Sequence, residues 1–179
     1  MSSPLILIRS MQMEDIEQVV AIDRLSFSLP WPTSSYRFEL VENQNSRLWV
    51  SEHIGEVSKG RIVAMIVVWN IVDEAHIATI AVHPEYRRLG IGKHLLAYAL
   101  KDAVQQGMHT ATLEVRAGNQ AAQTMYRQFG FDIAGIRLHY YQDNQEDAMI
   151  MTARLDNLAS WVHATENTMT LSQEAHFES

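Results

Sequence analysis

Apolar residues recur at helical spacing at Ile16, Val19, Val20 and Leu25, which predicts an amphipathic helix over Met13 to Ser26. A short strand over Leu5 to Arg9 precedes it. Leu29-Pro30-Trp31-Pro32 ends the helix, because each proline denies helical geometry to the residue before it. Ser34 to Glu42 then has room for a second short helix, with Pro32 tolerated near its start. Arg47 to His53 and Arg61 to Val72 are rich in β-branched and aromatic residues and read as strands, with the polar stretch Gly55 to Gly60 as their hairpin connection. Asp73-Glu74 marks the next turn, and Ala75 to Val82 the next strand. Three strands joined by short turns predict an antiparallel sheet.

The second half alternates helix and strand. Ile91, Leu95, Leu96, Ala99, Leu100, Ala103 and Val104 trace one helix face, which Gly107 is placed to end. Thr110 to Arg116 is a strand, and Asn119 to Gln128 a helix with Asn119 as N-cap and Gly130 beyond its end. Strands follow over Phe131 to Tyr140 and Ala148 to Arg154. From Asp156 the pattern weakens. Leu158, Trp161 and Val162 can dock one more helical turn, while Thr165 to Ser179 is polar and reads as frayed. The expected organisation is one domain over residues 1–155 and a C-terminal extension over 156–179, partly helical or disordered and accessory to any chemistry.

Composition narrows the class. A chain of 179 residues suits a single core, and 47% apolar with 20% charged residues is an ordinary globular balance. A formal charge of −7 argues against direct nucleic-acid binding, which needs a basic face. The absence of cysteine removes disulfides, zinc thiolate sites and any route through an acyl-cysteine. Met1 to Arg9 has neither the basic region nor the cleavage site of a signal peptide, and Ile62 to Trp69 is too short to span a bilayer as a helix. A soluble, cytoplasmic protein with no membrane partner is expected.

Two segments carry candidate chemistry. In Ile80-Ala81-Val82-His83-Pro84-Glu85-Tyr86-Arg87-Arg88-Leu89-Gly90-Ile91-Gly92-Lys93, the glycines let backbone N–H groups turn into one concavity at a helix start. Such a site takes an anion such as a pyrophosphate, with Arg88 and Lys93 adding charge. It is not a Walker A loop, because His94 follows Gly92-Lys93, and Leu95 stands where a dinucleotide fingerprint needs its third glycine. A ligand-free turn fits the same glycines. In the second segment, Glu114 on a strand and Tyr126 on the next helix could accept and donate protons when an amine attacks a thioester. A strand-face salt bridge and a packed aromatic would use the same two residues.

The Arg-x-x-Gly-x-Gly segment, followed by the Asn119 to Phe131 helix with its Ala122, Tyr126 and Gly130-Phe131, resembles the GNAT superfamily of N-acetyltransferases. Leu113 to Ala117, Asn119, Arg137, Tyr140-Tyr141, Glu146-Asp147-Ala148 and Ile150-Met151 resemble its RimI-like branch, whose members acetylate the N-terminal alanine of a small-subunit ribosomal protein. The resemblance spans about Leu5 to Arg154, and Gly118 stands where the family often has serine.

The resemblance implies an α/β (α+β) fold: a mixed, mainly antiparallel sheet with helices on both faces, splayed where Ala75–Val82 and Thr110–Arg116 part. It implies acetyl-CoA as co-substrate and no metal. Ile80, Ala81 and Val82 would bind the pantetheine arm, Arg88, Leu89, Gly90, Ile91, Gly92 and Lys93 the pyrophosphate, and Asn119 would also touch the cofactor. Glu114 matches the family's general base and Tyr126 its general acid, twelve positions apart. Phe27 to Trp31 and Arg137 to Tyr141 would border the acceptor, a protein N-terminus. A small-molecule amine acetyltransferase and a non-catalytic acetyl-CoA-binding module share these features. The sequence assigns no oligomeric state.

Overall fold

The run Ile62 to Val68 is buried along its whole length, so its strand must lie between two layers rather than on a half-solvated sheet. A computed structural model describes residues 5–55 and 60–171 and shows those layers. The strand, β3 (Arg61–Ile71), runs antiparallel to β2 (Ser46–Ile54) and β4 (Glu74–Val82). Ile62, Met65 and Val67 pack toward α1 (Ile16–Ser26) and Tyr36 of α2 (Thr33–Val41). Val63, Ile66 and Val68 pack toward Leu95, Leu96 and Leu100 of α3 (Ile91–Gln105). Each fully buried side chain of this size contributes about 1.5–3 kcal/mol. The sheet is thus stabilised from both faces.

With β1 (Leu5–Ser10), β5 (Thr110–Arg116), β6 (Asp132–Arg137), β7 (Ala148–Arg154) and β8 (Thr168–Thr170), the order is β6-β7-β5-β4-β3-β2-β1-β8. Every pairing is antiparallel except β4 with β5. That parallel pairing runs only from Glu74 opposite Thr110 to Ile77 opposite Leu113. At the next residue the register against β3 skips Ala78, because Val67 faces Thr79 while Val68 faces Ile77. A bulge bends its strand. The two strands part from this point, which is the expected splay.

Several expectations need correction. The α-helix begins at Ile16, after a 3₁₀ turn over Met13–Asp15. Leu25 is exposed, and Asp23 takes the inward position one turn beyond Val19 and Val20. Val72 lies outside β3, in a two-residue turn with φ +58°. Only Asp132–Arg137 of the expected Phe131 to Tyr140 strand is extended in the sheet: Phe131 is buried in the core, and His139 takes φ +53° in a turn.

The expected helical turn at Leu158 to Val162 is α5 (Ser160–His163), but Thr165 onward is not frayed throughout. Thr168–Thr170 pairs with β1 as an edge strand, Leu171 is buried, and residues 172–179 lie outside the described residues. The β2–β3 pairing is the expected hairpin, although its connection at 56–59 also lies outside them. Among the described residues no helix is long and apolar enough to cross a membrane.

Candidate active site

Where β4 and β5 diverge, a cleft of about 680 Å³ opens between Ile77–Val82 on one wall and Leu113–Arg116 on the other. Gly92, Asn119, Ala122, Met125 and Tyr126 line one end, and Phe27, Trp31, Tyr140 and Tyr141 the other. Backbone donors of β4 face this space. His83 N–H donates to Val63 O on the β3 side, so strand alternation turns the Val82 N–H toward β5, where no partner strand remains.

The helix end is built for an anion. Gly90 adopts φ +81° and begins α3 with no side-chain cap, and the first intrahelical bond runs from His94 N to Gly90 O. The N–H groups of Ile91, Gly92 and Lys93 therefore have no intrahelical partner, and the helix dipole favours negative charge there. A side chain at Gly92 would begin 3.2 Å from Val82 Cγ2, so glycine lets the helix approach β4. Arg87 donates to Val82 O and to Ser26 Oγ, tying the loop to the end of α1.

Glu114 projects from β5 on the face opposite the buried Leu113 and Val115. Arg137 Nε lies 2.8 Å from Oε1, and the Tyr140 hydroxyl donates to Oε2 at 3.0 Å. Burial, then this bond, raises the Tyr140 pKa. Tyr126 is buried and tilts against Phe131, with ring centroids 5.9 Å apart. Burial, with Tyr141 nearby, pushes its hydroxyl well above the ordinary tyrosine value, so it carries its proton at neutral pH.

Two residues not anticipated as site residues hold the Phe27–Tyr141 end of the cleft together. Arg116 bonds Asp143 at 2.9 Å, Glu146 at 3.1 Å and Ser28 at 3.2 Å, and its guanidinium lies 3.8 Å from the Tyr141 ring centroid. Ser28 also donates to Asp143, so both loops bordering the cleft meet at Arg116. Glu146 in turn accepts from Gly118 N–H at 2.8 Å, and a Cβ at 118 would lie only 2.8 Å from Glu146 Oε1. Glycine there leaves the carboxylate its place. The second residue is Asp23, whose Oδ2 accepts the Trp31 N–H at 2.6 Å. Trp31 stacks on Trp69 at 6.1 Å, which fixes the loop from below. Burial raises the Asp23 pKa, against the Trp31 N–H and the neighbouring Tyr36 hydroxyl, which lower it.

Residues 16–131 match the Acetyltransferase (GNAT) family. The chain belongs to that family. A Bacillus subtilis (strain 168) protein, named provisionally a ribosomal protein bS18-alanine N-acetyltransferase, is 38% identical over 144 residues, 80% of this chain and 92% of its own length. The Escherichia coli (strain K12) ribosomal protein bS18-alanine N-acetyltransferase is 33% identical over 146 residues, 80% of this chain and 94% of its own. A crystal structure of the Escherichia coli enzyme superposes with a TM-score of 0.74 at 29% identity, covering 86% of this chain and 99% of that one.

In this GNAT enzyme the cleft brings together Ile80, Ala81, Val82, Gly92, Glu114, Asn119 and Tyr126 with Phe27, Trp31, Tyr140 and Tyr141. Arg88, Leu89, Gly90, Ile91 and Lys93 lie outside its lining, in the loop and first turn before it. The Ile91 side chain is buried in the core, so only its backbone can face an anion. Arg88 is exposed at φ +64° and pairs with no described residue. Asn119 spends its side chain on the helix, accepting Ala122 N–H at 3.1 Å as the N-cap of α4 (Gln120–Arg127). Arg137 reaches the site through Glu114.

Proposed function

We propose that the protein transfers the acetyl group of acetyl-CoA to the α-amine at the N-terminus of an acceptor protein, with an N-terminal alanine of a small-subunit ribosomal protein as its natural acceptor. The observation that carries this is the position of Glu114. Its carboxylate stands where β4 and β5 part, in a cleft joining the uncapped start of α3 to the two loops clasped by Arg116. The relatives named bS18-alanine N-acetyltransferases support the acceptor class, and their similarity extends over four-fifths of the chain. The cytoplasm is the corresponding location.

The residues fit the co-substrate. The first-turn N–H groups of Ile91, Gly92 and Lys93 would hold its diphosphate, and the open edge of Ile80–Val82 its pantetheine arm. Acetyl-CoA supplies an activated thioester. Glu114 takes the proton that the amine sheds, directly or through water. The Val82 N–H stands toward the acetyl oxygen as charge develops there. Tyr126 returns a proton to the departing sulfur.

The chemistry favours an α-amine. Its reference pKa is about 7.7–8.0 against about 10.4 for lysine, so deprotonating lysine at the same pH costs about 3.4 kcal/mol more. Calorimetric titration with acetyl-CoA, together with thiol release on adding an alanine-initiated peptide, tests the proposal. Binding followed by peptide-dependent release is the expected result.

A further inference from the structure

After β7 the chain returns along α3 toward the anion-binding turn. Lys101 Nζ donates to Thr165 O at 2.7 Å, His94 Nε2 lies 2.8 Å from Glu166 O, and Met169 Cε lies 3.8 Å from where a side chain at Gly90 would begin. On the way it presents Trp161. Val162 beside it is fully buried, yet Trp161 is 41% exposed. One side of its ring tilts against Phe129 at 5.1 Å, and Lys93 Nζ stands 5.3 Å from its centroid.

This places a partly exposed indole, with a cation over its ring, beside the first turn of α3. Among the exposed rings of the described residues, Phe27, Phe38, Tyr140 and Trp161, only Trp161 has a ring contact with a residue of that turn. The diphosphate lies midway along coenzyme A. With the pantetheine arm directed into the cleft and the diphosphate at Ile91–Lys93, the adenosine end has to leave over the outer surface of that turn.

We infer that the indole of Trp161 is the shelf on which the adenine of acetyl-CoA rests, with Lys93 turned toward the nucleotide's 3′-phosphate. Indole and purine offer matching flat faces, and Lys93, which lies over the ring here, swings off it toward the phosphate as the base takes its place. The C-terminal extension thereby becomes part of the co-substrate site. The inference rests on the acetyl-CoA reading of the cleft, and its test separates the two.

The full-length protein, Trp161→Ala and Trp161→Leu are titrated by calorimetry with CoA, 3′-dephospho-CoA and 4′-phosphopantetheine. Leucine keeps bulk against Phe129 while removing the π-face, which answers the case in which the alanine variant fails to fold. Base–aromatic stacking of ordinary strength corresponds to roughly 5- to 150-fold in affinity. A loss in that range for CoA and dephospho-CoA, with phosphopantetheine binding retained, is the expected result. Lys93→Met should in addition narrow the preference for CoA over dephospho-CoA. Equal weakening of all three ligands, or unchanged CoA binding, overturns the inference. A wild-type protein that binds none of the three overturns the co-substrate reading itself.

Discussion

Arg137 Nε sits 2.8 Å from Oε1 of Glu114, which ties the proposed base to the end of β6 and the segment proposed to border the acceptor. Tyr140 holds the other oxygen from the turn that follows β6. The carboxylate and one wall of the proposed acceptor slot are therefore a single mechanical unit, set by side chains more than twenty residues apart in sequence.

Glu114→Gln keeps the shape and the acceptor for Tyr140 but removes the proton-accepting oxygen. Turnover should fall roughly 10²–10⁴-fold with little change in the KM for acetyl-CoA. Steady-state kinetics with acetyl-CoA varied at saturating peptide checks this. Near-wild-type turnover would reduce Glu114 to a partner for Arg137.

Tyr126→Phe should likewise lower kcat, by a similar factor, while the protein stays folded around the retained ring. Burial raises the Tyr126 pKa, so its protonated form persists above the ordinary tyrosine value of about 10. The alkaline limb of kcat should therefore show no loss from this group below about pH 10. A tyrosine-dependent fall between pH 8 and about 9.5, absent in the phenylalanine variant, would contradict the assignment.

Arg116→Met removes the clasp between Ser28, Asp143 and Glu146 while keeping comparable length. The acceptor loops should separate, raising the peptide KM by about tenfold or more, with acetyl-CoA affinity nearly unchanged. The loss of three contacts from one partly exposed hub, rather than the strength of any single exposed pair, sets that scale. Peptide kinetics and acetyl-CoA calorimetry on the same preparation separate the two sides of the cleft.

The helix over Ile91–Gln105 and the strands β5 and β7 were legible because their periodicity is strong and glycine or polar turns bound them. The glycine loop was legible because its conformation demands glycine, as φ +81° at Gly90 and the close approach at Gly92 show. The bulge at Ala78 was not, since Ala-Thr-Ile-Ala carries no residue that marks a skipped register. The edge strand Thr168–Thr170 is polar and short, and only the free edge of β1 makes it a strand. Arg116 lies within the Leu113 to Ala117 strand segment, but its partners lie 27 to 88 positions away. Local spacing carries no signal for such a hub.

Asp23→Asn keeps an acceptor for the Trp31 N–H and removes a charge that burial disfavours. Because the folded pKa of Asp23 is raised, the ionised group disfavours the native state above that value. Its penalty is relieved as pH falls through the folded value toward the unfolded value of about 3.9. The asparagine variant should gain most over the native protein at pH 7–8, and the gain should shrink on acidification toward about pH 4.5. Denaturant unfolding at both ends of that range measures the difference. A gain that grows on acidification would contradict the account.

The most direct test of α-amine acetylation uses two peptides of one sequence beginning with alanine and containing one lysine. In the first the lysine is blocked and the α-amine is free; in the second the N-terminus is blocked and the lysine is free. Each is incubated with the protein and acetyl-CoA, and the acetylated position is mapped by mass spectrometry. The account predicts acetylation of the free alanine amine and little or none at the free lysine. Efficient acetylation of lysine in the N-terminally blocked peptide, with none on the free α-amine, would contradict it.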